Sequence, residues 1–284
     1  MPASDLISVI VTTYDRPDAL DASLRALAQQ TDRNFETVIA DDGSGPETAA
    51  VIAGWKARLG RRLRHVWQPH HGFRAAEIRN RAIIAAAGDY CIFLDGDCLA
   101  RRNFVATHRS LAERGWFVTG NRVLISRALT QRILAERLAA EDWSVKRWLP
   151  LRLGGEINRL APLFSLPLGP ARKLFVRAWR GARSANIAAW RSDLLAIDGF
   201  DQGFTGWGRE DSDLFVRLIR AGVRRKDGRW ATGVLHLWHP EADRSRLSEN
   251  DRRLDAVLAG DRIKATLGLS TLSDGHKETE AAVH

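Results

Sequence analysis

Short apolar, β-branched runs alternate with amphipathic stretches over the first 125 residues. Ile7–Thr12 (ISVIVT) has the unbroken apolar character of a strand buried on both faces. Pro17 suits the first turn of a helix, in which Leu20, Leu24, Leu27 and Ala28 form one apolar stripe. Phe35–Ala40 (FETVIA) predicts a second strand ending at Asp41-Asp42-Gly43-Ser44. Ser44 followed by Glu47 has capping-box spacing and predicts that the next helix begins there. Leu63–Trp67 predicts a third strand, Ala75–Ala87 a helix stopped by Gly88, and Tyr90–Leu94 a fourth strand. That strand runs straight into Asp95-Gly96-Asp97. Strands alternating with helices give an α/β fold, with a mostly parallel central sheet and helices on both faces. Ligands of such sheets sit at the carboxyl ends of the strands, and acidic residues cluster at two of those ends here.

The pattern weakens between Leu129 and Arg180, where Arg, Leu and Trp mix with four prolines, predicting short helices and loops. It returns with Ala185–Trp190, a helix over Asp211–Ala221 and an apolar run Gly233–Trp238. The polar tail after Thr271 is expected to fray.

Composition is that of an ordinary globular chain, 45% hydrophobic and 27% charged, and changes the picture only through charge. Twelve Lys/Arg face four Asp/Glu between Arg127 and Arg183, a net of +8 out of +9 for the whole chain. Such a patch suits a polyanion: nucleic acid, an anionic membrane surface or a phosphorylated substrate. No signal peptide or membrane-spanning run is read, and Cys91 and Cys98 are too few and too close for a useful disulfide. A reduced, cytoplasmic setting is therefore expected.

Three motifs carry candidate chemistry. In Asp95-Gly96-Asp97, two carboxylates at a strand end can hold a divalent cation while the glycine lets the backbone turn. Gly206-Trp207-Gly208-Arg209-Glu210-Asp211-Ser212-Asp213 places three acids at a helix start, where the helix dipole favours negative charge. One of them can serve as a general base, with Trp207 as an apolar platform for a sugar ring and Gly206 and Gly208 allowing close approach. In His236-Leu237-Trp238-His239 two imidazoles fall three apart after an apolar run, and mixed carboxylate and imidazole ligands suit manganese, or magnesium.

ISVIVTTYDRP, VIADDGS, GFRAAEIRNRAI and YCIFLDGD occur in the order seen in glycosyltransferase family 2, which this chain resembles over residues 5–125. SANIAAWRSDLLAIDGFDQGFTGWGREDSDLFVRLIRAG resembles the acceptor-side half of galactosyl- and N-acetylgalactosaminyltransferase domains, over residues 184–240. The resemblance implies a GT-A fold with a basic helical insertion, and a nucleotide-sugar donor, most simply a UDP-sugar. It places Thr12, Tyr14 and Asp15 on the nucleoside pocket, and Asp41 on the uracil ring with Asp42 beside it. It brings Arg79 of the Arg79-Asn80 pair close to the nucleotide. Asp95 would lie near ribose and metal, Gly96 between them, and Asp97 would ligate the metal with His236, His239 or both. Asp211 corresponds to the catalytic base, Glu210 to a residue orienting acceptor or donor sugar, and Asn186 to a position facing the sugar.

The expected divisions are 1–126 for the donor half, 127–183 for the basic insertion, 184–270 for the acceptor and base half, and 271–284 for a flexible tail. The activity so implied is inverting, metal-dependent transfer of a hexose or N-acetylhexosamine to a saccharide or lipid-linked acceptor in bacterial envelope synthesis. The basic segment would touch an anionic membrane from the cytoplasmic side. A nucleotidyltransferase is the first alternative, but it would put a Gly-rich basic loop where TTYDRPDAL stands. A non-enzymatic nucleic-acid binder fits the pI near 10.3 and Trp143, Trp148 and Trp179 among arginines. No nucleic-acid motif accompanies them, and acidic strand ends repel a phosphate backbone, so no nucleic-acid partner is expected.

Overall fold

The computed structural model describes residues 5–180 and 185–272. Strands and helices alternate as the periodicity predicts: β1 (Ile7–Thr13), α1 (Pro17–Ala28), β2 (Phe35–Asp41), α2 (Pro46–Leu59), β3 (Leu63–Trp67), α3 (Ala75–Ala85) and β4 (Tyr90–Asp95). Next come β5 (Cys98–Ala100), α4 (Phe104–Leu111), β6 (Trp116–Thr119), β7 (Arg122–Leu124), α5 (Arg127–Ala135) and α6 (Val145–Leu153). They are followed by β8 (Asn186–Trp190), α7 (Arg191–Ala196), α8 (Glu210–Arg220), β9 (Arg224–Asp227), β10 (Val234–His236) and α9 (Leu247–Ala259).

Seven strands form one sheet in the order β3-β2-β1-β4-β8-β6-β9. β3, β2, β1 and β4 are mutually parallel, as are β6 and β9, while β8 runs against both its neighbours. Alternate residues of β1 feed opposite faces, the period-2 geometry of a strand. Val9 and Val11 pack with Leu20 and Leu24 of α1, Trp55 of α2 and Phe104 of α4. Ile10 packs on the other face with Ile78 and Ala82 of α3 and Leu214 and Leu218 of α8. Both faces are therefore dry, which is why the strand reads as an unbroken apolar run.

A second sheet, β5-β10-β7, lies over a third core. There Leu99, Val123 and Leu235 meet Ile133, Trp143, Trp148 and Leu163 of the basic segment. The segment is a string of short helices and turns, as expected, and its tryptophans anchor it. Residues 181–184, which hold the expected boundary of the insertion, and the tail beyond Leu272 lie outside the described residues.

Two local expectations are corrected. Ser44 caps no helix: its hydroxyl accepts from the Asp15 N–H at 2.9 Å, and α2 starts at Pro46 with Gly45 before it. α3 ends at Ala85, two residues early, and Gly88 serves packing instead. A Cβ there would lie 2.6 Å from the Leu6 carbonyl oxygen and 2.7 Å from Ser8, so only glycine fits against the start of β1. Cys91 and Cys98 are buried and unpaired.

Candidate active site

The parallel register brings the site together at one sheet edge. Thr12 pairs with Asp95 across β1 and β4, and Thr13 with Asp41 across β1 and β2, so three strand ends deliver polar groups side by side. They open into a cleft of about 1100 Å³. Gly96 is the hinge of the acidic triplet. Its N–H donates to the Thr12 carbonyl at 2.8 Å, and a Cβ would come within 3.0 Å of that oxygen. The two carboxylates of the triplet can flank this turn because the residue between them has no side chain.

Thr12, Tyr14, Asp15 and Asp42 line the cleft. Asp15 adopts a positive φ of 41°, held by the Gly45 N–H donating to its carboxylate at 2.7 Å. Tyr14 is exposed and stacks on His70, with ring centroids 4.1 Å apart. Asp42 accepts from the Gln68 amide at 2.6 Å and the Arg74 N–H at 2.8 Å. Burial raises its carboxyl above the usual range, with those hydrogen bonds offsetting part of the effect.

Asp97 faces two imidazoles. His236 Nε2 lies 3.5 Å from one of its carboxylate oxygens and His239 Nε2 3.5 Å from the other. Two ligands at right angles on a cation with bonds near 2.1 Å stand about 3 Å apart, so this spacing suits a shared ion. Burial lowers the pKa of His236 despite nearby Asp97, favouring the neutral ring that a metal requires. The antiparallel register sets Cys98 opposite His236, and ligand atoms of Asp97, Cys98 and His236 fall within 4.8 Å of one another. Cys98 is fully buried, and burial holds its thiol well above the usual pKa, as suits a residue that packs. The donor set of carboxylate and imidazole fits a divalent cation such as manganese.

The acids of α8 separate by role. Gly206 and Gly208 have positive φ, and Arg209 takes φ 80° just before the helix. Asp213 is fully buried, and one of its oxygens accepts from both Nη2 and Nε of Arg217, at 2.6 and 2.8 Å, a structural pair. Glu210 and Asp211 line the cleft with Trp207 and Gly208. Asp211 accepts from the Ser212 N–H at 2.7 Å. Glu210 Oε1 accepts from Arg79 at 3.1 Å, while its Oε2 is buried without a hydrogen-bond partner among the described residues. Burial, with the charge of Asp211, raises Glu210 to about 7 in spite of Arg79. Arg79 is the junction of the cleft: it also donates to Thr12 Oγ1 at 3.2 Å and reaches Asp95 at 3.4 Å.

Three residues read from the sequence as site residues face elsewhere. Asp41 is 1% exposed, bonded to the Ser44 N–H at 2.8 Å and to His65 at 2.9 Å. Burial pushes its carboxyl up, but these bonds outweigh it and hold the pKa below the usual value. Asn80 clamps Phe200 through both its N–H and its carbonyl, each at 2.8 Å. Asn186 is buried against His108, Asn121 and Thr232. Conversely, Arg122, Arg180 and Arg244, and Trp179, which the sequence suggested only as a base-stacking residue, line the cleft. The Arg244 guanidinium lies 4.9 Å above the Trp207 ring and pairs with Glu241 at 3.2 Å, while that of Arg180 lies 5.0 Å over the Trp179 ring.

The sequence model of glycosyl transferase family 2 matches residues 8–165, more than half of the chain. The chain belongs to glycosyl transferase family 2. A second model, described as the N-terminal domain of galactosyltransferase, matches residues 174–239 of this family 2 protein. The validoxylamine A glucosyltransferase of Streptomyces hygroscopicus subsp. jinggangensis is 29% identical over 235 residues, 81% of this chain and 55% of that protein. The chain thus spans about half the length of that relative. S. aureus TarS 1-349 in complex with UDP has a TM-score of 0.60 at 16% identity, covering 93% of this chain and 68% of that one. The mannosyltransferase PcManGT from Pyrobaculum calidifontis, in complex with GDP-Man and Mn2+, has a TM-score of 0.53 at 17% identity, covering 89% and 64%. These likenesses show the fold, which is GT-A.

Proposed function

We propose that this family 2 chain transfers a hexose or N-acetylhexosamine from a UDP-sugar to a saccharide or lipid-linked acceptor, with inversion at the anomeric carbon. The observation that carries the reading is one cleft holding both the Asp97–His236–His239 cluster and the Glu210–Asp211 pair, with Arg79 joining Glu210 to Asp95 of the acidic triplet. A hexosyl donor is supported by the glucosyltransferase relative, and UDP and manganese by the ligands bound in the structural neighbours.

Asp97, with His236 and His239, would hold manganese, or magnesium, and Asp95 stands beside them. Bound there, the ion supplies countercharge to the diphosphate as the nucleotide leaves. Asp211, near the positive end of α8, accepts the proton of the acceptor hydroxyl as it attacks. Glu210, with a pKa near neutrality and one oxygen unpartnered, can donate or accept a hydrogen bond from a sugar hydroxyl. Trp207 gives the ring an apolar platform, and Thr12, Tyr14, Asp15 and Asp42 form the wall for the nucleoside.

Calorimetry of UDP with and without manganese tests the reading. Wild type should bind UDP only with metal, and Asp97→Ala should weaken that binding at least tenfold. UDP binding indifferent to both metal and substitution would falsify the cation site.

The basic segment supports contact with an anionic membrane. Leu149, Leu153, Leu174 and Phe175 stand exposed among its arginines, Leu153 at 81%. Among the described residues no helix is long and apolar enough to cross a membrane, so the contact would be peripheral, at the cytoplasmic face. Flotation with phosphatidylglycerol vesicles at low salt should carry the protein upward, and its absence removes the membrane from the proposal.

A further inference from the structure

A second pocket, of about 270 Å³, lies beside the cleft and is walled by arginines. Arg172, Arg180, Arg225 and Arg229 line it together with Phe175 and Asp227. Four guanidiniums against one carboxylate leave a local charge of +3. Two of the arginines are buried and held by neutral oxygens. Arg172 donates to the carbonyls of Asp227, Arg229 and Leu166 at 2.7 to 2.9 Å. Arg225 donates to Thr119 Oγ1 and the Ala178 carbonyl, each at 2.8 Å. Among the described residues neither forms an ion pair within 4.0 Å, so these bonds orient the charges without cancelling them. The single carboxylate is already engaged: Asp227 is forked onto Arg229 at 2.6 to 3.0 Å.

An alternative is that the arginines only staple residues 166–180 to β9. Stapling accounts for the carbonyl bonds, but neutral side chains could accept that task without the cost of burying cations. Burial draws the pKa of both Arg172 and Arg225 below the ordinary value, with Asp227 working against it. A cavity in which four guanidiniums meet one carboxylate favours an anion, and planar guanidiniums match phosphoryl oxygens best.

We propose that this pocket binds a phosphoryl group. Arg180 lines both this pocket and the cleft, so a molecule anchored here can reach into the cleft that Asp211 also lines. On the transferase reading, and resting on it, that molecule is the acceptor, held by its phosphate while a sugar hydroxyl reaches the base. Exposed Leu174 and Phe175 beside the arginines suit a phosphate carried on an apolar chain, and the open mouth equally admits a phosphorylated saccharide.

Inorganic phosphate is the probe, titrated calorimetrically at low salt without metal into wild type, Asp227→Asn and Arg229→Gln. Both substitutions lie outside the cleft and alter one charge each. Asp227→Asn should bind phosphate about tenfold more tightly than wild type and Arg229→Gln about tenfold more weakly. Opposite signs from two neighbouring substitutions exclude a common folding defect. Displacement of phosphate by phosphatidylglycerol vesicles assigns the pocket to a lipid headgroup. Displacement by hexose 1-phosphate but not by vesicles assigns it to a phosphorylated saccharide. No phosphate binding by wild type, or equal affinity in all three proteins, overturns the proposal. Metal-dependent UDP binding is measured on the same samples. Its loss with phosphate binding intact would sink the transferase reading alone.

Discussion

Replacing Glu210 by glutamine removes one ionisable group, with almost no change of volume, from the most constrained part of the cleft. Glu210 is 7% exposed, and among the described residues only its Oε1 has a hydrogen-bond partner, Arg79. Burial and the charge of Asp211 raise its pKa from 4.5 to about 7, and Arg79 opposes them incompletely. Because the folded pKa lies above the unfolded one, the folded state holds the proton more tightly. The stability this contributes is fully present below pH 4.5 and is lost as pH rises to 7. A difference of about 2.5 in pKa, at about 1.4 kcal/mol each, amounts to about 3 kcal/mol. Glutamine keeps an oxygen for Arg79 and never ionises, so the variant escapes the loss.

Urea unfolding of the two proteins without metal, between pH 5 and pH 8, reads this directly. Near pH 5 their stabilities should agree within about 1 kcal/mol. At pH 8 Glu210→Gln should be the more stable by up to about 3 kcal/mol, equivalent to a melting temperature higher by about 6 °C. A variant less stable than wild type at pH 8 would refute the reasoning. It would mean that the attraction of Arg79 outweighs burial and that Glu210 is an ordinary ionised partner.

Asp211→Asn should lower kcat by about 10² to 10⁴ while leaving UDP affinity within twofold, and near-normal turnover would remove Asp211 as the base. Asn80→Ala should cost roughly 2 kcal/mol of stability, because two hydrogen bonds to Phe200 are lost, and leave UDP affinity unchanged. The reverse pattern in that variant, full stability with weakened UDP binding, would return Asn80 to the donor site.

Much of the fold is legible in the chain because its strands are short, apolar and buried on both faces, and its helices carry single apolar stripes. The cleft is legible where one residue type permits one geometry. Gly96 between two acids must turn tightly against β1, and acids at the start of α8 must meet a helix dipole. The choice between neighbours is what the sequence cannot make. Asp41 and Asp42 alternate sides at the end of β2, and which one meets the cleft depends on His65 of β3 and on Gln68. Arg79 and Asn80 differ by one step around α3, and the loop that captures Asn80 lies 120 residues away. Arg122 and Arg180 carry no local signal, because their segments reach the cleft only through tertiary folding.

The residues that face away from the cleft explain how it keeps its shape. Asn80 fixes Phe200, over whose ring the Arg79 guanidinium lies at 5.5 Å. Asp213 and Arg217 hold α8, and Arg217 also bonds the Ile197 carbonyl at 2.9 Å, setting where Glu210 and Asp211 emerge. Asp41 secures the turn whose Ser44 hydroxyl and Gly45 N–H pin Asp15. Each of these groups is polar and buried, and each is satisfied within the protein, as stability demands. Among the described residues, Glu210 Oε2 is the exception inside the cleft. Where the surrounding polar groups are paired, an unpaired carboxylate oxygen beside a proposed base marks the place a ligand hydroxyl would complete. Proton and sugar hydroxyl would then compete for one oxygen, so a bound sugar should lower the apparent pKa of Glu210 whenever it donates its hydrogen bond there.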